Sequence, residues 1–311
     1  MTRYRSLGLF LVLAAIWGSA FMAIKAGLAF FPPVLFAALR YDIAGVVMLA
    51  YALYVTDVPL PRDRAEWTEV AIGAVLLIAA YHALLFVGEL DPRVTSAAAA
   101  VVVSLSPVLT TGFARVLLPS ERLTAVGIVG MVLALVGVAV LSELDPSNLL
   151  AGGTIPKLLI LGAAAAFALG SVLTRRVGSD LPIATMEAWS MIGGAAIMHA
   201  VSLALGESLG SVVLNRESIA ALAYLSLAAS AVGFLIYFEL LDRLGPVEIN
   251  LVSYVAPVFA ALAGWALLDE VPTAPTGVGF LLIFLGFLLL KRHAIRAEVA
   301  GLVERDAPTT D

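Results

Sequence analysis

The chain has 311 residues, of which 61% are hydrophobic and 13% charged, and its formal net charge is −5. A soluble domain carries roughly 25% charged residues, so this chain cannot cover a water-facing surface and reads as an integral membrane protein. Its scattered Lys and Arg leave no nucleic-acid footprint, and the lack of cysteine excludes disulfides, thiol catalysis and Cys–metal sites.

About 20 apolar residues cross a bilayer core. On that length the sequence predicts an all-α membrane protein with ten transmembrane helices, over 6–30, 33–56, 67–90, 93–117, 122–142, 155–177, 183–206, 217–241, 246–268 and 274–292. The first apolar run continues past Gly18-Ser19-Ala20 to Phe31, so it reads as a retained span rather than a cleaved signal. Short links such as Phe31-Pro32 and Leu118-Pro119-Ser120 make sequence neighbours antiparallel neighbours in space. The segment 293–311 is charged and is expected to be a disordered cytoplasmic tail.

Lys and Arg set the orientation. With a cytoplasmic N-terminus the inner side holds Arg3, Arg5, Arg62, Arg64, Arg115, Arg122, Arg175, Arg176, Arg243 and the basic residues of the tail. The outer side holds Arg93, Lys157 and Arg216. Both termini are therefore expected in the cytoplasm.

Residues 94–124 contain a small-residue run, Ala97 to Ala100, then Pro107 and a Pro-Ser-Glu-Arg-Leu-Thr elbow. A weaker copy lies 150 residues on, at 244–274, where Pro257 matches Pro107 and Glu270 falls one residue out of step with Glu121. The same offset aligns Trp17 with Phe167, Lys25 with Arg175, Pro32 with Pro182 and Glu89 with Glu239. This is the signature of duplication. It divides the chain into a first five-helix repeat, 1–150, and a second, 151–292. Five spans is an odd number, so the second repeat is expected to be inverted, the arrangement that underlies alternating access.

The prolines near the middle of the fourth and ninth spans should free the carbonyls of Val103 and Ser253. These either face a wet path or are satisfied locally by hydroxyls such as Ser104 and Ser106. His82, after Tyr81 in the third span, is either a substrate or proton site or a neutral histidine bonded to a neighbour. Trp17 and Tyr254 are candidates for an aromatic wall, and Ser19, Ser171 and Asn250 for hydrogen bonding to a substrate or between helices. Glu187, Glu239 and Glu248, with Arg175, Arg176 and Arg243, suggest either an inner gate or interfacial charges. Lys25 and Arg40 suggest an outer gate, with snorkelling to the interface as the alternative for Lys25; Arg40 lies about 10 Å along its span and is harder to dismiss.

Ile16-Trp17-Gly18-Ser19-Ala20-Phe21 with Ile24-Lys25, Ala37-Ala38-Leu39-Arg40-Tyr41, and the paired Pro107/Glu121 and Pro257/Glu270 segments carry a resemblance. Over about residues 5–292 the chain resembles the drug/metabolite transporter superfamily and, within it, the EamA-type ten-span exporters. The resemblance implies a central cavity lined by spans 1, 3, 4, 6, 8 and 9. It also implies a multi-pass carrier of the cytoplasmic membrane that exports amino acids or related small metabolites. Carriage of organophosphates, nucleosides or drug-like cations is an alternative. So is a membrane scaffold. The small four-span cation exporters of the superfamily rely on a glutamate in the first span, and this chain has none there. No phosphate-binding loop, His-Glu-x-x-His or aspartate-rich motif occurs. The expected partners are therefore a small-molecule substrate and the bilayer, with no cofactor, no metal and no enzymatic activity, in a monomer or homodimer.

Overall fold

The computed structural model describes residues 2–118, 125–141, 154–244, 249 and 251–306. Among them every regular element is helical. In chain order the rods are α1 (Thr2–Gly27), α2 (Pro33–Val55), α3 (Arg64–Glu89), α4 (Ser96–Leu117), α5 (Ala125–Leu141), α6 (Thr154–Val177), α7 (Ile183–Ala204), α8 (216–244), α9 (Val252–Leu268) and α10 (Ala274–Asp306). Six of them, α1 to α4, α6 and α8, are long and apolar enough to cross a membrane, and α5, α9 and the first part of α10 are shorter apolar helices. Large apolar side chains such as Val46, Leu53, Val116, Val129, Leu203 and Leu267 stand exposed on the outside of the bundle. That perimeter suits lipid and not water.

Local chemistry sets the ends of the rods. Pro33 opens α2, and the Glu207 carboxylate accepts from the amides of Val34 (3.2 Å) and Leu35 (2.7 Å), filling the free donors of its first turn. Asp63 caps α3, Thr95 caps α4, and Asn215 forms a reciprocal capping box with Ser218 at the start of α8. Helix α9 ends where Asp269 takes a left-handed conformation (φ 54°) and the Glu270 amide returns to the carbonyl of Gly264 at 3.1 Å. Helix α10 continues past Arg292 to Asp306. Its Ala-, Glu- and Arg-rich composition favours helix; residues 307–311 of the expected tail lie outside the described residues.

Three rods are not regular throughout. Helix α4 breaks at Ser104-Leu105, between Ser96–Val103 and Ser106–Leu117. The hydroxyl of Ser106 donates to the freed carbonyl of Val103 at 2.7 Å, and that of Ser104 to Val101 at 2.7 Å, so the break is satisfied within the helix. Helix α9 runs through Pro257 without interruption, so the two prolines do not produce the same distortion. Helices α3 and α8 each contain a π-helical stretch, Gly73–Ala80 and Tyr224–Val232. Removing the bond at the break by Ser106→Ala should lower stability by about 1 kcal/mol. An unchanged melting temperature would show that the Val103 carbonyl has another partner.

The most extensive helix contacts are α5–α10, α2–α7, α1–α9, α4–α6, α3–α6 and α3–α7, with α8 packed on α1 and α2 and α9 on α4. Adding five to each label, and wrapping past ten, maps this set of pairs onto itself. The lesser contacts do not follow the rule. Helices α1, α3 and α4 touch one another, whereas their counterparts α6, α8 and α9 make no comparable contact among the described residues. Among the described residues the bundle is thus drawn together where α1 and α3 end and α4 begins.

Candidate functional site

Between the two halves lies a layer of aromatic and polar side chains. The Trp17 indole N–H donates to the carbonyl of Ala229 at 3.0 Å, inside the π stretch of α8. Its ring meets Phe234 at 5.9 Å and Tyr237 at 5.5 Å between centroids. The Ser19 hydroxyl donates to Ala15 of its own helix at 2.5 Å and lies 2.6 Å from the Tyr224 hydroxyl, joining α1 to α8. Across the layer, the His82 Nε2 and the Tyr41 hydroxyl are 2.7 Å apart, and His82 Nδ1 lies 2.9 Å from the carbonyl of Ile78, at the end of the other π stretch. The Tyr81 ring stands edge-on to His82 at 4.4 Å and touches Phe167 at 5.4 Å. In both halves a π stretch therefore turns a carbonyl toward a ring nitrogen, as π distortions often do at functional sites.

Two charged groups are buried in this region. Arg40 is 6% exposed; its Nε donates to the Ser230 hydroxyl at 3.1 Å, and its guanidinium lies 5.1 Å from the Tyr41 ring centroid. Glu187 is 9% exposed and lies within electrostatic reach of Tyr41 and Tyr237. Neither has an ion-pair partner among the described residues. Charged groups at membrane depth without a partner commonly mark a solute path.

The other expected site residues distribute as follows. Ser104 and Pro107 belong to the α4 break and bond within it. Ser171 donates to Phe167 at 2.9 Å, one turn back on α6, where Phe167 itself is exposed. Ser253 is half-buried. Tyr254 turns away from Trp17: its aromatic partners are Phe284 and Phe287 of α10, and its buried hydroxyl is unpartnered. The two rings face different neighbours because the α9 side packed near Trp17 carries Val255 and Phe259, about 100° around the helix from Tyr254. Asn250 and Glu248 lie outside the described residues. Glu239 bonds Arg5 and Arg243, each at 2.8 Å, at the end of α8. Arg175 is exposed, and Pro257 is buried in α9.

At the drawn-together end Lys25 has left the surface. Its Nζ donates to three main-chain carbonyls, those of Glu89 (2.9 Å), Asp91 (2.6 Å) and Val94 (2.7 Å), and so ties α1 to the turn between α3 and α4. From the second half, Glu270 accepts from the Ser96 amide at 2.9 Å, the first turn of α4. Glu270 can fold back in this way because residue 264 is glycine; a Cβ there would strike its Oε2. Asp91 is fastened by Arg93, which donates from Nε at 2.9 Å and Nη2 at 2.6 Å and holds the carboxyl down, at about 2. Sequence reasoning missed Tyr41, Tyr81, Ser230, Phe234 and Tyr237 as members of the layer. Their only signal was aromatic or hydroxyl residues close to Arg40, His82 and each other's repeat positions.

The profile of the EamA-like transporter family matches residues 5–143 and again 154–292. The chain belongs to the EamA-like transporter family. Among similar proteins, the uncharacterized inner membrane transporter YedA of Escherichia coli (strain K12) is 31% identical over 86% of each chain. The uncharacterized transporter YvbV of Bacillus subtilis (strain 168) is 28% identical over 98% of each. A solved crystal structure at 24% identity shares the fold with a TM-score of 0.65, covering 95% of this chain and 99% of its own. This EamA-like chain is a multi-pass membrane protein and a transporter of small molecules.

Proposed function

We propose that the chain exports amino acids or related small polar zwitterions by alternating access, as two inverted five-helix repeats of ten transmembrane helices. It sits in the cytoplasmic membrane. The inverted repeat is supported by the family profile matching twice and by helix pairs that exchange under a shift of five. The Lys/Arg bias puts both termini, and the Arg175 end, in the cytoplasm. On that orientation the drawn-together Lys25 end faces outward.

The observation that carries the substrate class is a buried guanidinium and a buried carboxyl, Arg40 and Glu187, neither with an ion-pair partner among the described residues, the first over the Tyr41 ring and the second within electrostatic reach of it. A zwitterion offers a carboxylate for the first and an ammonium for the second. Aromatic faces from Trp17, Tyr81, Phe167 and Tyr237 supply apolar walls and, toward an ammonium, cation–π attraction.

The test is counterflow of radiolabelled amino acids into liposomes holding the purified chain. A panel of nucleosides, sugars and organophosphates runs beside it, each with and without a pH gradient. Saturable counterflow of one amino-acid class, lost in Glu187→Gln, is the expected result. Saturation by another panel class instead would overturn the zwitterion reading and leave transport standing. His82→Ala is expected to weaken counterflow through the Tyr41 position, because both ring nitrogens are already engaged.

A further inference from the structure

The drawn-together end contains a carboxyl group that the transport reading does not use. Glu89, the last residue of α3, is wholly buried, and neither of its oxygens has a hydrogen-bond partner among the described residues. The Ser96 hydroxyl of α4 is equally buried and equally unpartnered. Among the described residues the titratable groups within electrostatic reach of Glu89 are Lys25 on α1, Arg40 on α2, Tyr81 on α3 itself and Glu270 beyond α9. Asp91 lies in the following turn, locked by Arg93, and α6 brings Lys157 beside Pro156, whose carbonyl faces Gly88.

An ammonium has three N–H donors. Lys25 places them on three main-chain carbonyls, one of them that of Glu89 itself. None is left for the Glu89 carboxylate, and the nearby acid, Glu270, repels a second negative charge. An ionised carboxylate sealed off without a donor is strongly disfavoured, so the arrangement fits the neutral acid.

We propose that Glu89 is a proton-binding site, and that its proton must be in place for the Lys25 end to close. Loss of the proton to water leaves Glu89 as a carboxylate and Lys25 still an ammonium. The carboxylate then draws one N–H of Lys25 off a main-chain carbonyl. Each such exchange removes a tie between α1 and the α3–α4 turn, so release of the proton loosens the closed end and uptake re-forms it. Asp91 does not serve this role, because Arg93 keeps it ionised far below neutral pH. The proposal rests on the alternating-access reading and adds to it a proton taken up on closure at the Lys25 end.

The cysteine-free chain permits a direct test. Val94, wholly buried beside the Lys25 tie, is replaced by cysteine, and the protein is reconstituted in liposomes. Its labelling by a membrane-impermeant maleimide is followed between about pH 5 and 8, corrected for the reactivity of a free thiol. Labelling is expected to rise about tenfold toward the alkaline end in this background, and to be slow at every pH after Glu89→Gln. Lys25→Met should label fast at every pH, whatever residue 89 is. A flat profile in the parent, or an unchanged profile in Glu89→Gln, overturns the proposal. If Glu89→Gln fails to fold, the decision falls to Lys25→Met: slow, pH-dependent labelling in that variant overturns it too. The assay needs no solute. A pH-dependent label without counterflow would defeat the transport reading alone, and pH-independent labelling with intact counterflow would defeat the proton site alone.

Discussion

Arg40→Met is expected to abolish counterflow while leaving the melting temperature unchanged or higher. The guanidinium is almost wholly buried, has a single hydrogen bond, to Ser230, and has no carboxylate partner among the described residues. A buried charge in that position weakens a fold, and replacing such groups by apolar side chains of similar volume is often neutral or stabilising, by about 1–4 kcal/mol. Methionine matches the length of the arginine stem and adapts to an irregular space. What it lacks is the fork that would grip a carboxylate. Counterflow should fall by at least about tenfold, equivalent to about 1.4 kcal/mol of substrate binding. Arg40→Lys should fall between, keeping the charge without the bidentate geometry. A large drop in melting temperature in Arg40→Met, with flux falling in proportion, would mean that Arg40 holds the bundle together, and the zwitterion reading would lose its cation.

The parts of the fold that were readable from the sequence are those set by short-range physics. Apolar runs of membrane length mark the rods; the caps at Asp63, Thr95 and Asn215 obey the same short-range chemistry, although the sequence reading did not single them out. The satisfied break in α4 was one of two readings available from Ser104, Ser106 and Pro107 alone. The π stretches were not readable. Gly73–Ala80 and Tyr224–Val232 are built from the same Ala, Leu and Ser as the α-helical turns around them. Their register depends on what accepts and donates across the bundle: Trp17 toward Ala229 and His82 toward Ile78. A hint did exist, since the two stretches fall at nearly the repeat offset.

The candidate layer was legible in its ingredients and not in its pairings. Trp17, His82, Arg40 and Glu187 all border the layer, but Tyr254 faces α10, one helical position away from the side that meets Trp17. Glu89 entered the sequence reading only as the repeat partner of Glu239. The two glutamates have since diverged in setting. Glu239 lies in a half-exposed ion-pair cluster with Arg5 and Arg243, whereas Glu89 is shut in by the Lys25 tie. No one-dimensional pattern distinguishes them, because the difference lies in which groups each meets across the bundle.

The drawing together of the Lys25 end depends on how closely α1 can approach α9, and Gly18→Val should therefore be the most destabilising single change in the first repeat. A Cβ at residue 18 would strike the Ala256 carbonyl and come within 2.6 Å of the Phe259 Cβ and 3.1 Å of the Ala260 amide nitrogen. Two of these obstacles are main-chain atoms of a helix that contains Pro257, so no side-chain rotation clears them and the helices must separate. Overpacking of this kind costs about 1–3 kcal/mol. Separation would also strip contact from one of the most extensive helix pairs in the protein, which places the expected loss at the upper end of that range or beyond. The midpoint of thermal unfolding in detergent should fall by several degrees (order of magnitude). Gly18→Ala should fall less, since alanine brings only the Cβ. Gly277→Ala serves as the control: nothing lies within 4 Å of a Cβ there, and exchanging a helical glycine for alanine should stabilise by about 0.5–1 kcal/mol. If Gly18→Val melted with the parent while Gly277→Ala rose as expected, α1 and α9 would not be in close contact in the folded protein. The tie at the end of α1 would then have to be held by Lys25 alone.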